Sequence, residues 1–188
     1  SFAVTGANAS EPKYYTATIG TTVKAVTGTT EDNSRIISGN VLTGETIVGD
    51  GFLGFYHSQV TIIPEGNEHQ FVATTGWMGP GLDKFSLSRT FPTWILPKSK
   101  KWNLNTNTNG EERAYVMSGQ YEKVLPFEIL PVHLVKAIIV NDFDGMEKLG
   151  IYELGPEDFA LCEYGCTSKI NVQSIFRDVL TRVKRDCA

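Results

Sequence analysis

The sequence has few cysteines, no long apolar segment and no excess of basic charge. Three cysteines in 188 residues cannot all pair with one another, so a disulfide framework is not expected and a reducing, cytoplasmic environment is the simpler interpretation. The longest apolar run, Leu134 to Val140, is interrupted by Lys136 and is shorter than the roughly 18 residues of a membrane span. A net charge of -4 and a pI near 5.4 argue against a nucleic-acid-binding protein.

An initiating methionine and the common catalytic motifs are also missing. The chain begins at Ser1 without a signal-peptide pattern, so we expect a piece of a longer protein. There is no G-x-S-x-G nucleophile elbow and no P-loop. The acidic pairs Glu111-Glu112 and Glu157-Asp158 lie where a loop and a helix start explain them. The sequence therefore predicts no catalytic residue.

Strand patterns dominate residues 1–120. Pro12–Ile19 is rich in β-branched and aromatic residues, Thr21–Val26 can form a short helix that Gly28 ends, and Arg35–Ile37 is typical of a second strand. Strand, helix and strand in this order predict a small α+β domain with a helix on one face of the sheet. Further strands are predicted at Val60–Ile63, His69–Thr74, Lys84–Phe91 and Ala114–Met117, the first two as a hairpin turning at Pro64.

After Tyr121 the apolar period changes from two to about 3.6 residues, which predicts a helical domain of about four helices over residues 121–188. We expect the boundary near Gln120. Asn171 caps the clearest helix, whose apolar stripe includes Phe176. The other predicted helix starts are Pro126, Pro131, Asp142 and Pro156, and the predicted ends are Gly150 and Gly165.

Two patterns have the spacing of a ligand site. Gly49–Gly54 matches G-x-G-x-x-G, but the dinucleotide fingerprint requires a helix after the glycines, and Phe55–Thr61 has a strand pattern. A flexible turn between sheets is the preferred interpretation. Cys162 and Cys166 are spaced C-x-x-x-C, whereas zinc sites and cubane clusters need about four ligands.

The number of available ligands argues against a metal site. Cys187 is distant in sequence, and His57, His69 and His133 are expected to be structural histidines with ordinary hydrogen-bond partners. We therefore predict no metal ligand. Phe159, Leu161 and Cys162 are expected to dock their short helix against the rest of the protein, with Cys162 in the core and Cys166 in a turn. A metal or iron-sulfur electron carrier remains an alternative.

The segment from Trp94 to Trp102 interleaves bulky apolar and basic residues, including Lys98, Lys100 and Lys101. Such a loop can rest on anionic lipid or on a partner protein of a membrane complex, because tryptophan is amphipathic and lysine gains from a negative surface. A solvated connector with buried tryptophans is the simpler alternative.

Several sequence blocks resemble one family. GWMGPGLDKFSLSRTF, ERAYVMSGQYEKVLPFEIL, LGIYELGPEDFALCEYGC and IFRDVLTRVKRD occur in the order found in the A-subunit of the bacterial Na+-translocating NADH:quinone oxidoreductase. IGTTVKAV and RIISGNVLTGE are similar to its SLBB domain, a soluble-ligand-binding β-grasp. The chain departs from the family pattern at Thr167-Ser168, where that pattern has Pro-Gly.

The resemblance implies the C-terminal part of a peripheral subunit on the cytoplasmic face of the bacterial inner membrane. The complex would use NADH, FAD, FMN, an iron-sulfur centre and quinone through other parts, with sodium translocation. This chain would then be a scaffold or quinone-associated part that binds the other subunits and holds no redox centre. A free-standing SLBB-type module that binds a soluble ligand is the alternative from the same resemblance.

Overall fold

The computed structural model describes residues 1–28, 33–67, 81–85, 89, 91–97 and 99–186. It divides into two compact units, Ser1–Asn109 and Gly110–Ala188. The first unit contains a five-stranded sheet and the second is helical. The predicted α+β class is confirmed, and the β-grasp label stays a prediction.

The sheet of the first unit has the strand order β2-β1-β5-β3-β4. Its central pair, β1 and β5, is parallel and places Val4 opposite Val60, while the other neighbours are antiparallel. Val23, on helix α1, completes a small core with both valines. The elements are β1 (Phe2–Thr5), β2 (Tyr14–Tyr15), α1 (Val23–Thr27), β3 (Ser34–Ser38), β4 (Glu45–Ile47) and β5 (Gln59–Pro64).

The predicted α1 and β3 are present, whereas the first strand differs. Thr22 precedes α1, and Gly28 ends it with a left-handed φ of 63°. Only Tyr14 and Tyr15 of the predicted Pro12–Ile19 strand pair with a neighbouring strand. They form the edge strand β2 beside β1, and no strand was predicted from the sequence at β1. The strand predicted at His69–Thr74 lies outside the described residues, as does half of Lys84–Phe91.

The second unit packs its helices around one apolar core. Phe159 and Phe176 are fully buried there, with ring centroids 4.9 Å apart. The α-helices are α2 (Tyr121–Val124), α3 (Pro131–Ile139), α4 (Phe143–Lys148), α5 (Ala160–Tyr164) and α6 (Val172–Asp186), with 3-10 turns at Ile151–Glu153 and Pro156–Phe159.

Most predicted helix starts agree with the structure. Pro131 occupies the first turn of α3, Asp142 accepts a hydrogen bond from the Gly145 amide, and Asn171 accepts one from the Ser174 amide. Pro126 is a wrong prediction, since it follows α2 in a non-helical connection. Gly165 ends α5 as predicted, with a φ of -85°.

The second compact unit begins at Gly110, and the domain boundary near Gln120 stays a prediction. The amide of Arg113 donates to the Ser168 carbonyl over 2.8 Å, and the Ser168 hydroxyl donates to the Ala114 carbonyl over 2.9 Å. Tyr115 packs against the helical core. These contacts hold the segment before α2 against the rest of the helical unit. Residues 114–117 form no strand, so the strand predicted at Ala114–Met117 is wrong.

Candidate functional site

Cys162 and Cys166 lie on either side of the end of α5, and both thiols contact Tyr121 at the start of α2. The Tyr121 hydroxyl donates to Sγ of Cys166 over 3.0 Å, and Sγ of Cys162 lies 4.0 Å from the Tyr121 carbonyl oxygen. The ring of Tyr115 lies 5.7 Å from that of Tyr121. Within the described part of the chain, the buried Tyr115 hydroxyl has no hydrogen-bond partner. These four side chains form the cysteine–tyrosine cluster.

Burial keeps most of this cluster protonated. Desolvation raises the pKa of the Cys162 thiol to about 11, and it raises the pKa values of Tyr115 and Tyr121. A thiolate is the form that acts as a nucleophile or binds a metal, so this environment disfavours both roles for Cys162. The geometry of the cluster therefore suits hydrogen bonding and packing between α2 and α5.

The predicted placement of the two cysteines agrees with the structure, whereas that of Leu161 does not. Cys162 is fully buried and Cys166 is half-buried just after α5. The sequence predicts Leu161 docked beside Phe159, yet its side chain is 49% exposed because it lies on the outer face of α5. No group of three or more His, Cys, Asp or Glu side chains among the described residues is arranged to hold a metal ion.

The histidines are separated in the fold. Nδ1 of His57 is 2.7 Å from the Ser38 hydroxyl, a hydrogen bond that links the loop before β5 to β3. His133 is exposed on α3, opposite the apolar stripe that its position in the sequence suggests. His69 and Cys187 lie outside the described residues.

The glycine-rich segment Gly49–Gly54 is a turn with no helix after it. It connects β4 and β5 within one sheet, which corrects the expected connection between two sheets. The carbonyls of Gly49 and Gly51 accept hydrogen bonds from the first amides of α1, and the Gly54 amide donates to Ser38 over 2.9 Å. A Cβ atom at Gly54 would lie 2.8 Å from His57. Close packing therefore accounts for Gly54, and also for Gly51, where a Cβ atom would lie 2.8 Å from the Val48 carbonyl oxygen.

The two acidic pairs have the simple placements expected of them. Glu111 and Glu112 are exposed ahead of α2. Asp158 accepts a hydrogen bond from the Gly155 amide over 2.7 Å at the start of a 3-10 turn, and Glu157 lies 3.7 Å from Arg177 of α6. The Asp158 hydrogen bond stabilises the start of this turn, whereas the Glu157–Arg177 contact is an exposed ion pair.

One polar cavity was not predicted from the sequence. It has a volume of about 210 Å³ and is lined by asparagine side chains around Glu65. Arg35 donates to both carboxylate oxygens of Glu65, and the Thr106 hydroxyl donates to one of them over 2.6 Å. The alternating asparagines from Asn103 to Asn109 are the signal in the sequence, but the partner residues come from β3 and the end of β5. The cavity is lined by Asn33, Pro64, Glu65, Gly66, Asn67, Asn103, Asn105 and Asn107.

The tryptophan-containing segment exposes part of its apolar surface. Trp94 is 56% exposed, whereas Trp102 is half-buried against Phe85. The alternative of a connector with buried tryptophans therefore does not hold for Trp94. No helix in the described part of the chain has the length and apolar character needed to cross a membrane.

Known proteins match this chain along almost its full length. Residues 2–49 match the family model described as the NQRA C-terminal domain. The A-subunit of the Na(+)-translocating NADH-quinone reductase of Shewanella frigidimarina is 40% identical over 187 residues, which is 98% of this chain and 41% of the relative. The chain is homologous to part of this protein.

Two further relatives carry the same name. The A-subunit of the Haemophilus influenzae enzyme is 40% identical over 185 residues, and that of Klebsiella pneumoniae is 37% identical over 187. The chain spans about two fifths of the length of the curated relatives it matches. Homology to the A-subunit confirms the resemblance seen in the sequence blocks, and it covers both structural units.

Proposed function

We propose that this chain is part of the A-subunit of a sodium-translocating NADH-quinone reductase, where it is a scaffold for other parts of the complex. It lies peripherally at the cytoplasmic face of the bacterial inner membrane, near the quinone-reactive region, and holds no redox centre. The observation that carries this proposal is the collinear match, at 37–40% identity, of 96–98% of the chain to relatives of that name.

The cysteine–tyrosine cluster supports a scaffold role over an electron-carrier role. Cys162 is fully buried with a raised pKa, and Cys166 is engaged by the Tyr121 hydroxyl. The buried Cys162 thiol stays protonated and contacts Tyr121 of α2, which leaves little Cys162 thiolate for an iron-sulfur cluster. Elemental analysis and absorbance of anaerobically purified protein test this part, and stoichiometric iron with charge-transfer bands would contradict it.

A segment exchange tests the proposal as a whole. The matching segment of the Shewanella frigidimarina protein is replaced by this chain, and the chimera is produced with the other subunits of that complex. We expect the chimera to co-purify with the complex and to support sodium-dependent NADH-quinone reductase activity in membranes.

Two controls make the exchange interpretable. A protein with the segment deleted gives the background, and a chimera carrying Phe176→Ala reports the requirement for a folded helical unit. A soluble, folded chimera that does not co-purify with the complex would refute the scaffold proposal. A complex that assembles but is inactive would separate the scaffold role from a role near quinone.

A second candidate is a module that binds a soluble ligand, and the polar cavity favours it. Amide side chains both donate and accept hydrogen bonds, and Arg35 neutralises Glu65, so the cavity suits a small neutral hydroxylated molecule. Thermal-shift measurements with monosaccharides and polyols test it. A shift that disappears in Glu65→Gln but persists in Glu45→Gln would favour this function.

A further inference from the structure

Basic charge is concentrated in the segment from Lys84 to Trp102. In a chain with 17 Lys and Arg against 21 Asp and Glu, this segment contains five basic residues and no acidic one. The five are Lys84, Arg89, Lys98, Lys100 and Lys101, of which Lys98 lies outside the described residues. The segment is therefore locally positive in a protein of net charge -4.

The same segment exposes three consecutive apolar side chains. Pro92–Ile95 forms a 3-10 turn, in which Trp94 is 56% and Ile95 69% exposed, and Leu96 after it is 38% exposed. We call residues 94–96 the Trp94 turn. Exposed apolar side chains are common singly, but three in a row beside positive charge are typical of an interaction surface.

The Trp94 turn is held in place by a buried residue and by backbone hydrogen bonds. Thr93 is buried at 3% exposure, and its hydroxyl donates to the Lys84 carbonyl over 2.7 Å. The Leu96 amide donates to the Thr93 carbonyl over 3.1 Å. A side chain at Gly81 would overlap the ring of Phe91, so the chain before the turn is closely packed as well. The anchoring holds the apolar side chains outward.

Cations lie next to the aromatic rings of this surface. The Arg89 guanidinium is 5.5 Å from the centroid of the Trp94 ring, and Nζ of Lys100 is 4.3 Å from that of Trp102. Lys100 also donates to the Leu82 carbonyl, and Lys101 is exposed beside it. Arg89 thus borders the exposed Trp94, and Lys100 borders the half-buried Trp102.

We propose that the Trp94 turn inserts into the interface of an anionic phospholipid bilayer, with the neighbouring basic side chains on its headgroups. Tryptophan is favoured at the headgroup level of membranes, and each lysine or arginine near a negative leaflet adds about 1 kcal/mol, or about fivefold in affinity. Charge complementarity selects the anionic lipid. The inference rests on this surface alone and does not depend on the proposed function.

Sedimentation of the purified chain with lipid vesicles tests the proposal. Vesicles of phosphatidylglycerol mixed with phosphatidylcholine are compared with vesicles of phosphatidylcholine alone. We expect binding to the anionic vesicles that falls as salt rises, because exposed charges are screened over about 8 Å at physiological ionic strength. Tryptophan emission should shift to shorter wavelength on binding, and Trp94→Phe should remove most of that shift.

Paired variants separate the apolar and the electrostatic parts. The double variant Lys100→Ser with Lys101→Ser should weaken binding to anionic vesicles about 25-fold, because each lysine is expected to contribute about fivefold in affinity. Trp94→Ser with Ile95→Ser should weaken it at least as far while leaving the far-ultraviolet circular dichroism unchanged. Equal losses in both vesicle types would contradict the electrostatic part.

The controls use exposed aromatic and basic residues elsewhere in the chain. Phe55→Ser with Tyr56→Ser removes two aromatic side chains that are 82% and 94% exposed, and Lys184→Ser with Arg185→Ser removes two charges at the end of α6. Both controls should bind like the unaltered chain. If the unaltered chain stays in solution with anionic vesicles, or if the controls lose as much binding as the test variants, the lipid proposal is wrong. Loss of complex assembly in the Trp94 variants with unchanged vesicle binding would assign the surface to a protein instead.

Discussion

The hydroxyl of Tyr121 donates a hydrogen bond to Sγ of Cys166 over 3.0 Å, although the two residues are 45 positions apart. Tyr121 is only 2% exposed, so its hydroxyl has little access to water as an alternative partner. The bond joins the first residue of α2 to the turn after α5, and Cys162 packs beneath it against the Tyr121 backbone. The C-x-x-x-C pair is thereby part of a helix-to-helix contact.

Removing that hydroxyl should destabilise the helical unit without changing its packing. Tyr121→Phe keeps the ring, so we expect the free energy of unfolding to fall by about 0.5–1.5 kcal/mol, the usual worth of one hydrogen bond. Urea denaturation measures it. Cys166→Ala and the double variant complete a cycle, and strictly additive effects would show that the two groups do not interact.

The two cysteines should differ sharply in reactivity. Burial raises the pKa of Cys162 to about 11, so at pH 8 only about one thiol in a thousand is ionised there. In a Cys187→Ser background, iodoacetamide should modify Cys166 in the native protein and Cys162 only after denaturant is added. Mass spectrometry of timed samples measures both, with Cys166→Ser as control. Native labelling of Cys162 at the rate of Cys166 would contradict the burial of its thiol.

Local signals in the sequence predicted the helices better than the sheet. Pro131, Asp142 and Asn171 act through contacts within one helical turn, so their residue types alone indicate a helix start. A two-residue edge such as β2 depends instead on where β1 lies, and no local pattern carries that information.

For the candidate sites, the sequence shows some of the residues involved but not the residues that they contact. The cysteine spacing and the asparagine alternation are visible in the sequence, but the partners that give them a role are distant. Thr106 reaches Glu65 across 41 positions of the chain. Such contacts depend on tertiary packing, which cannot be predicted from the periodicity of apolar residues along the sequence.

Stability should fall at acid pH through Glu65. Hydrogen bonds from Thr106 and from Arg35 hold the pKa of this carboxyl below its ordinary value of 4.5. The contribution of Glu65 to stability is therefore complete above about pH 4.5, which is its pKa in the unfolded chain. This contribution is lost as the pH falls through the lower pKa of the folded state. Glu65→Gln should cost about 1 kcal/mol at pH 7 and progressively less in acid. Denaturation at several pH values measures this, and Glu45→Gln, on the sheet edge, should keep the original pH dependence. A constant difference between Glu65→Gln and the unaltered chain at all pH values would contradict this role.

Ser38 should hold the glycine-rich turn onto the sheet. Its hydroxyl accepts a hydrogen bond from the Gly54 amide over 2.9 Å and forms a second hydrogen bond with Nδ1 of His57 over 2.7 Å. Ser38→Ala leaves both groups without this partner, and we expect a loss of about 1–3 kcal/mol in the free energy of unfolding. Hydrogen exchange should show faster exchange at the Gly54 amide. Unchanged protection there would mean that packing alone holds the turn, and Ser58→Ala serves as the exposed control.

The division into two units at Asn109 and Gly110 can be tested by damaging one core at a time. Phe176→Ala removes a fully buried ring from the helical core and should cost about 3–5 kcal/mol, while Ile62→Ala should cost about 2–5 kcal/mol in the sheet core. If each unit is an independent domain, calorimetry should resolve two transitions, and each variant should lower only one of them. Because Phe176 packs on Phe159 within the helical core, its loss should leave the sheet amides as protected from hydrogen exchange as before. A single transition that both variants lower together would show that the units unfold cooperatively and are one domain.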